Sequence, residues 1–285
     1  MSRIVERRRS ADGGWSVVTG APEPRFAPIV RRYSDWSEDR TSGVERRRHG
    51  PSVDVPLIID FNGMLGSVER GGSGAATYLP GFVAGLHHAY AVTESNGATS
   101  GIQVDLTPIG AHLLLGVSMH ELTDRTIALD AVMGDDGRRL IEQVRNAGSV
   151  EDRFALVDAM IRARLAAARV PPRAMFWAWN VLESNGGRAS IAAIGDRLGW
   201  SRKHVVAQFR EHIGLPPKTL ARIVRFNSAA NAVKASARPN FGAIAAYAGY
   251  YDQAHMIREF VEFSGGTPRD YLARRVADSN DIRDS

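Results

Sequence analysis

The sequence predicts an α+β chain of two domains: a mostly β N-terminal part, barrel- or sandwich-like, then a helical connector and an all-α C-terminal part. Three observations predict it. Between residues 53 and 130 the apolar residues come in short runs or alternate, with glycines between them. After Gly134-Asp135-Asp136-Gly137 the apolar period lengthens to that of a helix. In the last third, a short helix followed by a glycine and a longer helix occurs twice. The expected bounds are 1–134 for the β part, 135–170 for the connector as a candidate dimerisation element, 171–275 for the helical part, and 276–285 for a tail.

Residues 1–50 read as irregular, with Pro22, Pro24 and Pro28 and the arginine runs Arg7–Arg9 and Arg46–Arg48. Short runs of this kind are usually solvated, with a phosphate contact as the sharper alternative. VDVPLIIDFNG then reads as a buried strand closing in an Asn62-Gly63 turn, a strong hairpin signal. GATSGIQVDLTP alternates at Ile102, Val104 and Leu106 until Pro108 stops it. RRLIEQVRNAG is an amphipathic helix ending at Gly148. The next begins with a cap-like Ser149 and Asp152 and carries Phe154, Val157, Ile161 and Leu165 on one stripe. That stripe packs more readily on its own domain than on a second subunit. Pro171-Pro172 marks the boundary beyond which everything reads as helix.

Composition narrows the function classes. The chain has 285 residues, no cysteine and a net charge of +5. The missing cysteines exclude disulfides, thiolate metal sites and cysteine nucleophiles, and fit a cytoplasmic location. The basic start is followed by Gly, Asp and Trp instead of an apolar stretch, so it does not read as a secretory signal, and no apolar run is long enough to span a bilayer. Charge is polarised: residues 188–275 hold fourteen Lys/Arg against six Asp/Glu, a local net of +8, leaving −3 elsewhere. Such a distribution suggests a polyanion partner for the last third, against the alternative of a merely solvated basic surface.

The repeat gives that charge a frame. Residues 191–220 and 242–272 align with Gly199 on Gly249 and one extra residue in the second copy. Val205 then meets Met256, Phe209 meets Phe260, Gly214 meets Gly265, and Pro217 meets Pro268. Each copy has the layout of a helix-turn-helix, with units at 191–214 and 242–265 joined by a linker helix at 217–235. The linker packs through Leu220, Ile223, Val224 and Ala230. In the later copy Met256, Phe260 and Phe263 form the inner stripe, while Gln253, Ala254, Ile257, Arg258 and Val261 face out. In the earlier copy Val205, Phe209 and His212 point inward, and Arg202, Lys203, Val206, Ala207 and Arg210 outward. Cations, an amide and small apolar groups on one face suit base edges: Arg forks onto guanine, Gln onto adenine, and apolar groups meet thymine methyls. Packing as a plain helical bundle is the competing reading.

Ala245, Gly249, Tyr250, Asp252, Gln253, Arg258, Phe260, Gly265 and Pro268 together resemble the signature of AraC/XylS-type transcriptional regulators. Gly199, Trp200, Ser201 and Phe209 match that family's first unit, and the resemblance covers residues 172–275. It implies an all-α double helix-turn-helix domain whose recognition helices lie in successive major grooves, set apart by a linker spanning ~27 Å. Carried over by position, the DNA contacts are Ser201, Arg202, Lys203, Val206 and Arg210 in the first unit, and Gln253, Ala254, Ile257 and Arg258 in the second. Ser201, Arg210 and the backbone of Asp252 are expected on phosphates. Many members have Arg where Ala207 stands, so the first unit is expected to read fewer bases. The implied partners are double-stranded promoter DNA and RNA polymerase. A small-molecule effector and a homodimer stay open, no membrane and no cofactor are expected, and the residues do not choose between activation and repression.

The same resemblance implies an N-terminal sensor domain, often a cupin-like barrel. Metal-binding cupins use a His-x-His pair, whereas His87 and His88 are adjacent, and His120-Glu121 lacks a second histidine at position 124, which is Asp. No catalytic or metal-ligating set is therefore expected. Trp15, Trp36, Tyr78 and Phe82 are candidates to line an effector pocket, with core packing the blander reading. An effector-independent architectural DNA binder, or an enzymatic barrel fused to a DNA-binding part, are the alternatives.

Overall fold

The computed structural model describes residues 3–9, 14–39, 43–68, 74–236, 238–274 and 281–283. Its β strands are β1 Arg3–Arg9, β2 Trp15–Ala21, β3 Val30–Glu38, β4 Val44–His49, β5 Val55–Asp60, β6 Leu65–Val68, β7 Ala76–Tyr78, β8 Gly81–Ala84, β9 Ala91–Asn96, β10 Thr99–Leu106, β11 Thr126–Ala128 and β12 Asp281–Arg283. The helices are α1 Pro108–Leu115, α2 Leu129–Met133, α3 Asp135–Asn146, α4 Val150–Ala167, α5 Arg173–Ser184, α6 Ile191–Leu198, α7 Arg202–His212, α8 Pro217–Ala235, α9 Phe241–Ala248, α10 Gln253–Ser264 and α11 Pro268–Arg274. The N-terminal region is mostly β and the C-terminal region helical.

Two antiparallel sheets face one another. The first runs β1-β2-β3-β10-β5-β8-β11 and the second β12-β4-β9-β6-β7. In the first sheet the period of two divides the side chains. Tyr33, Leu57, Ile59, Ile102, Val104 and Leu106 are fully buried on the helix side. Arg32, Ser34, Trp36, Ile58, Gln103 and Asp105 face a cavity between the sheets. Helix α4 covers the helix side with Phe154, Val157 and Ile161, so that stripe packs on its own chain. The approach is close: a Cβ on Gly20 would lie 2.5 Å from the Phe154 ring. Tyr33 stacks on Phe154 at 5.3 Å and donates a buried hydrogen bond to Asp158 Oδ1 at 2.7 Å. Ser149 caps α4 by accepting from Asp152 N at 3.1 Å.

Two sequence readings are corrected. Residues 1–50 are not irregular; they contribute β1 to β4. The prolines 22, 24 and 28 fall together in the β2–β3 connection. The arginines that disguised these strands lie in ion pairs: Arg7 with Glu151, Arg46 with Glu94, and Arg47 with Glu38 and Glu45. Arg48 stacks on Tyr90 at 4.9 Å. Nor does Asn62-Gly63 close a hairpin, since β5 pairs with β10 and β8 while β6 pairs with β7 and β9. The turn instead carries the chain from one sheet to the other. Asp60 shapes it, its carboxylate accepting from Asn62 N at 3.2 Å and Leu65 N at 3.0 Å.

The helical region is seated on the β region. The Cβ of any side chain at Gly50 would lie 3.1 Å from Phe226 of α8. Arg31 pairs with Glu183 of α5 and with Asp54 at 3.4 Å. Near α1, Ser118 Oγ donates to Glu211 Oε2 at 2.6 Å and Thr123 Oγ1 to the Gly214 carbonyl at 2.9 Å. His112 Nε2 and His212 Nδ1 are 3.1 Å apart. Val117 O, 2.9 Å from His112 Nδ1, can only accept, so neutral His112 carries its proton there and takes the His212 proton on Nε2. Burial, then the neighbouring His112, holds the His212 imidazole below its ordinary pKa, against Glu211. Strand β12, from the segment read as a tail, pairs with β4 with Ile282 opposite Arg48. Among the described residues no helix is long and apolar enough to cross a membrane.

Candidate nucleic-acid interface

The two helical units are built by the same local bonds. Ser190 caps α6 and Asn240 caps α9, each accepting from the amide three residues on, at 3.2 and 3.0 Å. Both helices end on glycines in the left-handed region, Gly199 at φ 65° and Gly249 at φ 81°, which is why these turns need glycine. The next residue closes each turn identically: Trp200 N reaches Gly195 O and Tyr250 N reaches Ala245 O, both at 2.9 Å. Ser201 then caps α7 at 3.2 Å, and Asp252 caps α10 through His255 N at 2.6 Å. His204 and His255 sit edge-on to Trp200 and Tyr250, with ring centres 4.8 and 5.3 Å apart. The extra residue of the second copy is Tyr251, between turn and cap.

The inner faces are where periodicity put them. Val205 and Phe209 of α7, and Met256, Phe260 and Phe263 of α10, are buried. His212 is only half-buried, because its inner neighbour is His112 rather than an apolar core. Helix α8 is buried through Leu220, Ile223, Val224 and Ala230, and also through Phe226, which packs on Phe260 and Phe263 at 5.0 and 5.3 Å.

On the outer faces Ser201, Arg202, Lys203 and Arg210 are exposed on the first unit, as are Gln253, Ala254 and Arg258 on the second. Val206 and Ile257 are half-buried beside them. Arg202, Lys203, Arg210 and Arg258 form no ion pair among the described residues. The contrast with α8 is sharp: Arg222 binds Glu259 at 2.7 Å and Glu262 at 2.5 Å, and Arg225 lies 3.8 Å from Glu259. Cations that hold the domain together are neutralised, and those on the two outward faces are left for solvent or a ligand.

Glu259 is a residue that sequence reasoning missed. It is 4% exposed, faces Arg222, Arg225 and, at 3.6 Å, His255, and fixes α10 against α8. Burial, then the Glu259 carboxylate, pushes the Tyr250 phenol well above its ordinary range. Its one sequence signal is position: the i+3 neighbour of Met256 falls near the inner stripe.

A second candidate site is the cavity of about 1140 Å³ between the sheets. Trp15, Trp36 and Phe82 line it, whereas Tyr78 does not and donates instead to Glu94 at 2.7 Å. The remaining wall mixes apolar residues such as Val17, Ile58, Leu65 and Val92 with polar ones, among them Asn227, Asn231 and Lys234 of α8. Arg32 and Gln103 hold Asp105, the former through Nη2 at 2.8 Å and the latter at 2.6 Å. Burial, and Asp105 nearby, push the Asp54 carboxyl up to about 6 despite Arg31. His87 is among the lining residues. Asp124 lies 3.8 Å from its Nδ1 and 2.7 Å from His88 Nδ1. Among the described residues no group of three or more His, Cys, Asp or Glu is placed to hold a metal ion.

Residues 194–274 match a family model described as a helix-turn-helix domain. The C-terminal region is a helix-turn-helix domain of the AraC type. Ahead of this AraC-type domain, residues 19–128 match a domain of unknown function, DUF6597. No curated protein matches the chain. Solved structures similar to it include ToxT from Vibrio cholerae, at 12% identity over 83% of this chain and 98% of that one, with a TM-score of 0.46. Unsaturated fatty acid bound wild-type ToxT from V. cholerae strain SCE256 gives 10% identity, 94% and 97% coverage, and a TM-score of 0.47. A probable AraC family transcriptional regulator from Rhodopseudomonas palustris CGA009 is 25% identical over 36% of this chain and 97% of that one, with a TM-score of 0.32.

Proposed function

We propose that this chain is a sequence-specific DNA-binding transcription regulator whose helices α7 and α10 enter successive major grooves on one side of the duplex. One observation supports the reading above all. Two units with matching caps and turn bonds carry exposed, unpaired cations beside small apolar groups, joined on the second by an amide, and nowhere else among the described residues is this pattern repeated. Arg202, Lys203, Val206, Gln253, Ala254, Ile257 and Arg258 are the proposed base readers. Ser201, Arg210 and the Asp252 backbone are the proposed phosphate contacts. Because the two faces differ, each chain reads an asymmetric site.

The cavity belongs to the same proposal as an effector chamber, supported by its volume of about 1140 Å³ and by the α8 residues in its wall. A compound seated there would raise the melting temperature by mass action and change DNA affinity. A compound that stabilises the chain and leaves DNA affinity untouched would count against control through this cavity.

The direct experiment is selection of duplexes from a random pool by the full chain, then footprinting with single-base variants of the selected site. Arg258→Ala is expected to relax preference at one position by ~1–3 kcal/mol while other positions keep theirs. An equal loss on every sequence would show that Arg258 touches backbone only.

A further inference from the structure

The extra residue of the second unit, Tyr251, has no role in holding the fold. It is 93% exposed, the most exposed large apolar side chain among the described residues, while Tyr250 beside it is 5% exposed and anchors the turn. Tyr247, in the last turn of α9, is 69% exposed, and Val261 on the outer face of α10 is 48% exposed. The first unit carries no such residues: it passes from Trp200 straight to its cap, and where α9 has Tyr247 it has Arg197, stacked on Trp177 at 5.2 Å. A cation completes the second unit's patch. Exposed Arg188, from the α5–α6 connection, lies against Gly249, donates to the Tyr247 carbonyl at 3.3 Å and to the Asn185 carbonyl at 3.1 Å. It forms no ion pair among the described residues. The acid next to Tyr251 in sequence, Asp252, is engaged in capping α10.

We propose that Tyr251, Tyr247 and Arg188 form a backbone clamp for duplex DNA, gripping the sugar-phosphate strand beside the base pairs that α10 reads. The inference rests on the DNA-binding reading and adds a site to it. The patch adjoins the entry of α10, so a duplex seated on that helix brings a phosphate strand past the turn. A phenol hydroxyl donates to phosphate oxygen, its ring packs on deoxyribose, and the guanidinium supplies charge. The two kinds of donor leave different signatures. Arg188 on a phosphate displaces a condensed counterion and adds to the salt dependence of binding, whereas neutral Tyr251 adds affinity without altering it.

The test measures binding of the full chain to two duplexes, one selected from a random pool by the wild type and one of mixed sequence, over a salt series. Tyr251→Phe, which removes only the hydroxyl of a solvated side chain, is expected to weaken both duplexes alike, by roughly 3–10-fold. Its slope of log affinity against log salt stays that of the wild type. Arg188→Ala is expected to weaken both and reduce that slope by about 1. If Tyr251→Phe and Tyr251→Ala both bind as the wild type does, the clamp is overturned. A loss confined to the selected duplex also overturns it, since that is base reading. So does unchanged DNA binding with impaired transcription in a purified polymerase assay, which would make the patch a protein contact. If the wild type enriches no duplex from the pool and does not bind the mixed one, the DNA-binding reading fails with it.

Discussion

Replacing Asp54 with asparagine isolates the electrostatic strain at the junction of the β region and the helices. Asp54 lines the cavity, close enough to Asp105 for the two carboxylates to repel, and the cation it pairs with, Arg31 at 3.4 Å, also serves Glu183. Burial and that repulsion lift its carboxyl from 3.8 to about 6. The sign follows from proton linkage. The native state binds the proton more tightly than the unfolded chain, so this group's contribution is fully present below pH 3.8 and is lost as pH rises through about 6. The whole span is worth about 3 kcal/mol, and between about pH 5 and about pH 7.5 the wild type loses about 1.4 kcal/mol from this group alone. Asp54→Asn has no proton to lose. Its stability relative to the wild type should therefore improve by about 1.4 kcal/mol over that interval, or roughly 2–3 °C in melting temperature for a chain this long. Urea unfolding of both proteins at the two pH values measures the difference directly. A wild-type-to-variant difference that stays constant would show that Asp54 does not titrate there. A variant that loses ground as pH rises would show that Arg31 stabilises the anion more than burial and Asp105 oppose it.

Two further changes probe the second unit. Glu259→Gln keeps the shape but gives up the charge-assisted bond to Arg222 at 2.7 Å and the attraction of Arg225 and His255. With Arg222 still held by Glu262, the loss is expected at about 2 kcal/mol, or roughly 3 °C, and an unchanged melting temperature would mean desolvation cancels the pair. Asp252→Ala should cost about 1 kcal/mol and speed amide exchange in the first turn of α10, whereas Asp252→Ser should restore most of the protection; equal exchange in both variants would show that the cap at 2.6 Å contributes nothing.

The helical units were legible because their signals are local. Gly199, Gly249, Ser201 and Asp252 each act within four residues, and Met256, Phe260 and Phe263 mark the inner face by spacing alone. The first fifty residues were not. Strands that face a cavity on one side carry Arg32, Ser34 and Arg47 where a sandwich packed shut would carry apolar groups, so their alternation does not look like that of a strand. Their arginines are satisfied by acids far along the chain, as Arg7 is by Glu151 and Arg31 by Glu183. Asn62-Gly63 misled for a related reason: the turn is real, but Asp60 aims it across the sandwich, and only the finished sheets reveal which strands it joins. Glu259 reads as an ordinary surface acid until α8 brings Arg222 and Arg225 against it. Tyr251 appeared only as an alignment gap.

Helix α8 has little freedom to bend. Phe226 is wedged against Phe260 and Phe263, Arg222 and Arg225 face Glu259, and the remaining side forms part of the cavity wall. A spacer packed along its inner faces resists stretching or twisting to suit the nucleic acid. For the proposed regulator, one base pair inserted between the two half-sites turns the second by about 35° around the duplex axis, and α8 offers no compensating motion. Promoters under this protein would then tolerate substitutions within either half-site one at a time, but not a change in the helical phase between them.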